Sequence, residues 1–145
     1  MKIIVKDIQN SIEFVKSMTP EEHTRFVIRD FSENLPDVSK YINGGHYRII
    51  NKTERISLNY YFHIAYTALN TTYGEPPRIT EREMKLTKEE FLDENVWDIP
   101  KTDEPELDGY LRNLIHAEEY VRLKSVPHMV ASVNAFIQLY VEKSI

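Results

Sequence analysis

The sequence predicts an α+β fold, with an all-α fold as the alternative. Three observations carry this. Residues 56–68 alternate apolar and polar with the period of a strand. Helix-start signals cluster in the first forty residues. A long apolar stripe at helical spacing runs through the last forty. The expected arrangement is N-terminal helices, a small central antiparallel sheet and a C-terminal helical hairpin. With 145 residues and no linker-like or repeated stretch, residues 1–145 read as a single domain.

The elements follow in order. Asp7 is a candidate cap for a helix that places Ile8, Ile12 and Val15 on one face. Thr19-Pro20-Glu21-Glu22 joins a capping threonine, a proline suited to the first turn and a glutamate that closes a capping box. The helix it opens would bury Phe26, Val27 and Phe31. A short helix from Pro36 to Asn43 ends at Gly44-Gly45.

The even positions from Ile56 to Ala68 are Ile, Leu, Tyr, Phe, Ile, Tyr and Ala; between them stand Ser, Asn, Tyr, His, Ala and Thr. Period two and aromatic content predict a strand, paired with His46–Ile50 through a turn at 51–54. Under the all-α alternative this segment is a buried helix capped by Asn51, with Glu54 three residues on. Ile79 to Leu86 reads as a third strand, Thr87-Lys88-Glu89-Glu90 as a capping box, and 95–105 as a loop pinned by Trp97. A helix from Pro105 to about Val121 then precedes a final helix, broken from it at Val126-Pro127.

Charge is unevenly spread. The net −5 resolves into +1 over residues 1–74, −7 over 75–108 and +1 over 109–145. The acidic middle argues against nucleic acid and for a protein partner, possessing basic charge, that docks on Glu89, Glu90, Asp93 and Glu94. The stretch from Ser125 to Val141 carries no charge on either side, which predicts a homodimer interface through Ser132, Phe136, Gln138 and Tyr140 unless both sides are covered within one chain.

Chemistry is sparse. There is no cysteine, no glycine-rich phosphate loop and no nucleophile elbow or zinc-protease motif, so no cofactor or metal is assigned. His116 and Glu119 fall on one helical face but do not close a metal shell. Glu83 and Lys85, with Asp37, offer the acids and lysine with which a metal-dependent nuclease holds Mg²⁺, in surroundings that repel DNA. Asn59, Tyr61, His63 and Thr67 would line up on the polar face of the central strand as a ligand pocket. The reading favoured by composition is a cytoplasmic, non-enzymatic interaction module, such as an inhibitor, immunity protein or regulator, that acts through the acidic surface at 75–108. The alternative is a small-molecule binder or enzyme using the face around His63. The first residues hold no apolar run of secretory length, and the two charge-free stretches are too polar to span a membrane.

Overall fold

Residues 56–68, on which the α+β expectation rests, form the middle of a helix. In the computed structural model, which describes residues 2–44, 48–92 and 98–145, no described residue lies in a strand. The fold is all-α, and the central sheet is replaced by one long helix with others packed around it.

The chain begins with α1 (Val5–Lys16), which buries Ile8, Ile12 and Val15 as its spacing requires. Then α2 (Pro20–Arg25) starts at the Thr19 capping box, with both reciprocal hydrogen bonds formed. It runs without a break through a π-helical turn, Phe26–Phe31, into the short α3 (Ser32–Asn34). Next comes α4 (Pro36–Asn43), ending at Gly44.

The 22-residue α5 (Lys52–Tyr73) opens with the Asn51–Glu54 capping box and stops at Gly74, whose φ of +83° is the glycine-favouring region. The alternation in its sequence has a physical origin. Leu58, Asn59, Tyr61, Phe62, His63, Ile64 and Ala65 are all buried, because α5 packs on α1, α7, α8 and the π turn. With most of its middle turns covered, and aromatic and small polar side chains on the part left open, α5 has no charged stripe, so its 3.6-residue period is weak in the sequence.

The expected third strand at 79–86 is also helical: α6 (Glu81–Leu92) begins at a reciprocal box between Thr80 and Glu83. Thr87, expected as a cap, lies inside it. Of the expected partner strand at 46–50, His46 and Tyr47 fall outside the described residues, as does Trp97; residues 48–50 are irregular. α7 (Pro105–Ala117) is shorter than its spacing suggested and gives way to a 3₁₀ turn, Leu123–Ser125, before α8 (Val126–Ser144).

α8 is a central helix. It packs on α6, α5 and α7, and Phe136 meets Phe62 and Tyr140 at ring-centroid distances of 4.9 and 5.9 Å. Ser132, Phe136 and Tyr140 are fully buried within one chain. Gln138, partly exposed, accepts from the Asp103 N–H at 2.9 Å and donates to the Asp103 and Glu142 carboxylates. The missing charge in 125–141 therefore follows from burial of both sides by this chain's own helices. Among the described residues no helix is long and apolar enough to cross a membrane.

Candidate functional site

The site grows from the π turn. In a regular α-helix, residues five apart point about 140° away from each other. Widening the turn by one residue brings Phe26 and Phe31 to the same side, with ring centroids 5.6 Å apart. Phe31 reaches Phe62 and Phe136 in the core, while Phe26 lies against α5. The Ser32 hydroxyl donates to the Val27 carbonyl at 3.0 Å, satisfying a backbone group at the wide turn. π turns inside helices recur at functional sites.

Phe26 stacks flat on His63, with centroids 3.6 Å apart and planes within 2°. His63 also meets His23, Nδ1 to Nδ1, at 2.9 Å. One nitrogen must donate and the other accept. His23 Nε2 is buried with no hydrogen-bond partner among the described residues. An orphaned N–H is rarer than an orphaned lone pair. This assigns the proton of His23 to Nδ1, donating to His63 Nδ1, and the proton of His63 to Nε2. Burial, and then the neighbouring His23, push His63 down to about 3, and burial lowers His23 as well, so both rings are neutral at pH 7.

His63 lines a cleft of about 410 Å³ between α1, the π turn and α5. Phe26, Phe14 and Tyr66 give it an aromatic surface, and Phe14 is 53% exposed. Phe26 meets Tyr66 edge-on at 5.4 Å, and the Tyr66 hydroxyl accepts from Asn34 at 3.2 Å. Two cations, Arg25 and Arg29, and two acids, Glu22 and Asp30, balance at the rim. Thr67 and Thr71 donate back to their own helix, to the His63 and Thr67 carbonyls, leaving their oxygens able to accept.

Of the four residues expected to line a pocket, the structure brings two together. His63 and Thr67 both face this cleft. Asn59 lies one turn earlier and is engaged in reciprocal side-chain bonds with Asn43, at 3.0 and 2.8 Å, that tie α4 to α5. Tyr61 points to α7, its hydroxyl donating to the Leu114 carbonyl at 3.4 Å. The polar sheet face is not formed, because residues 56–68 are helical and no described residue lies in a strand. Arg25, Arg29 and Phe14 had no sequence signal. His23 and the π turn depend on long-range packing.

The other candidates are dispersed. Glu83 caps α6 and pairs with Lys143 at 2.6 Å; on a helix it and Lys85 point apart, so the nuclease set is not assembled. His116 lies in α7 but Glu119 lies beyond its end. Among the described residues, no three His, Asp or Glu side chains are grouped to hold a metal ion. Glu89 and Glu90 are exposed on α6, while Asp93 and Glu94 lie outside the described residues. Some acids of the 75–108 segment are internal: buried Glu104 accepts from the Ile3 N–H and the Tyr73 hydroxyl, and buried Asp108 from the Thr102 N–H and hydroxyl.

The fold and this site define an all-helical protein with an aromatic, charge-balanced cleft built on a π turn. No family model, curated protein or solved structure matches the chain.

Proposed function

We propose that the chain is a small-molecule-binding module that takes a flat, uncharged or zwitterionic heteroaromatic ligand in the His63 cleft. The observation that carries this is the convergence of Phe14, Phe26 and Tyr66 with the neutral His63 ring under a rim of two arginines and two carboxylates. Aromatic faces stack on a flat ring, and the His63 Nε2–H and the rim supply directional hydrogen bonds. The balanced rim disfavours a strongly charged ligand. The volume lies at the small end of ligand pockets, which run from roughly 300 Å³ upward.

Adenine and nicotinamide are suitable probes. Each is expected to shift the side-chain NMR signals of His63 and Tyr66 saturably. Filling the cleft by Thr67→Trp should weaken that binding by about tenfold or more, about 1.4 kcal/mol. Equal affinity in the variant, or no saturable shift with either probe, sinks the reading.

A second reading, a protein-interaction module with a basic partner, draws on Glu89 and Glu90, adjacent and exposed on α6. Reversing both charges, Glu89→Lys with Glu90→Lys, should then lower partner capture at low salt by about tenfold. Undiminished capture counts against it.

A further inference from the structure

We propose that His23, which stands outside the His63 cleft, determines its specificity by holding His63 as a hydrogen-bond donor. The cleft then selects a flat heteroaromatic ligand that turns a ring nitrogen or carbonyl acceptor toward His63, and rejects one that turns an N–H there. The inference rests on the reading of the cleft as a ligand site and adds the polarity of the edge it recognises.

Two neutral imidazoles bring two protons to four nitrogens. The Nδ1–Nδ1 contact at 2.9 Å holds one of them, because two N–H groups cannot meet there and two lone pairs repel. The outer nitrogens are therefore complementary. When His63 Nε2 carries a proton, His23 Nε2 does not, and the reverse. The surroundings of His23 decide between the two states. Its Nε2 is buried with no hydrogen-bond partner among the described residues. Its ring sits among those of His63, Tyr60 and Phe26, at centroid distances of 5.1, 5.7 and 6.5 Å. A lone pair tolerates such a place better than an N–H does. His63 cannot answer by turning over. It is 2% exposed and held between the His23 bond and the flat face of Phe26. A ligand that offers an N–H to His63 therefore needs both rings to change tautomer, each keeping one proton. The His23 Nε2–H that results is buried without an acceptor. On the scale of an unmade buried hydrogen bond, this lowers affinity by about tenfold or more. A ligand that offers an acceptor leaves both protons where they are. The polarity is set from a neighbouring groove between α2, α5 and α7, which His23 lines with Tyr60 and Leu114.

The test has two arms on the full chain. Nitrogen NMR of the labelled imidazoles tells protonated from bare nitrogens without any ligand. His63 is expected to carry its proton on Nε2 and His23 on Nδ1. The second arm titrates isoquinoline and indole at mildly alkaline pH, where both are uncharged. They are similar in size and offer a ring acceptor and a ring donor. Isoquinoline is expected to bind about tenfold more tightly. His23→Asn keeps a polar group beside His63 Nδ1, but its amide can turn to donate or accept. In this variant the preference should fall toward unity, chiefly because indole binds better. The two parent measurements keep the test decisive if His23→Asn fails to fold. A His63 proton on Nδ1, equal affinities in the parent, or an unchanged preference in folded His23→Asn overturns the proposal and leaves the cleft a ligand site. No saturable binding of either probe overturns the ligand reading and the proposal together.

Discussion

Glu54→Ala is expected to lower the unfolding free energy by about 3 kcal/mol, the scale for breaking a buried ion pair by removing one partner. Glu54 is fully buried, yet its carboxylate serves three groups. It accepts from the Asn51 N–H at 2.9 Å, closing the cap of α5. It accepts from the Arg122 N–H at 2.7 Å and from the Arg122 guanidinium at 2.8 Å, joining the start of α5 to the turn before α8. Arg122 is itself 41% exposed, so solvent screening keeps the figure below the upper end for such pairs. Burial alone would raise the Glu54 pKa. The Arg122 side chain and the two backbone N–H groups outweigh it and hold the carboxyl at about 2. A carboxyl depressed in the folded state contributes stability that is complete above its ordinary value near 4.5 and disappears as the pH falls toward 2. Urea denaturation at pH 7 and at pH 2.5 checks both statements. The gap between the parent and Glu54→Gln should narrow at the lower pH. A Glu54→Ala variant within about 1 kcal/mol of the parent would show that the cluster contributes no more than an exposed pair.

How much of this was legible in the sequence depended on whether a feature was local. The Thr19 box, the buried face of α1 and the span of α4 are set within a few residues and appear as read, although Asp7, expected as the cap of α1, lies inside its first turn and Ile4 stands at the cap. The strand at 56–68 failed because most of α5 is buried and its open part carries no charge, which removed the charged stripe that marks a surface helix. Its one local helix signal, Asn51 with Glu54, was in the sequence and belonged to the all-α alternative. The same burial logic applies to α8, whose missing charge is explained by its own neighbours.

His63 and Thr67 survived the wrong secondary structure for a geometric reason. Residues four apart share a face in a strand and in a helix alike, whereas residues two apart share one only in a strand. Asn59, His63 and Thr67 keep that spacing along α5, and Tyr61 falls away to α7. The π turn was beyond sequence reading, because it is held by contacts of Phe26 and Phe31 with α5 and α8, distant in the chain. The acidic surface misled differently: summing charge over 75–108 counts as surface charge acids that are buried, such as Glu104 and Asp108.

Acid should begin to destabilise the protein below about pH 6.5, and His63 is the main reason. Its folded-state pKa is held at about 3, against an ordinary 6.5. The unfolded chain therefore takes up the proton first. The associated stability is fully present above about 6.5, falls as the pH drops below it, and stops falling near 3, where the folded ring also protonates. Between pH 6.5 and 4.5 a single such histidine removes roughly 2 kcal/mol, from a slope approaching 1.4 kcal/mol per pH unit. His23 and His128, lowered chiefly by burial, add in the same direction. The Glu54 contribution begins to fall only below about 4.5, so it does not account for a loss that starts near 6.5. His63→Phe keeps a flat ring against Phe26 and removes the titration. It should flatten the stability profile between pH 6.5 and 4.5 by that same 2 kcal/mol, measured by urea denaturation at each pH. A profile as steep as the parent's, or an NMR titration placing His63 near 6.5 in the folded protein, would mean the ring is not sealed between Phe26 and His23.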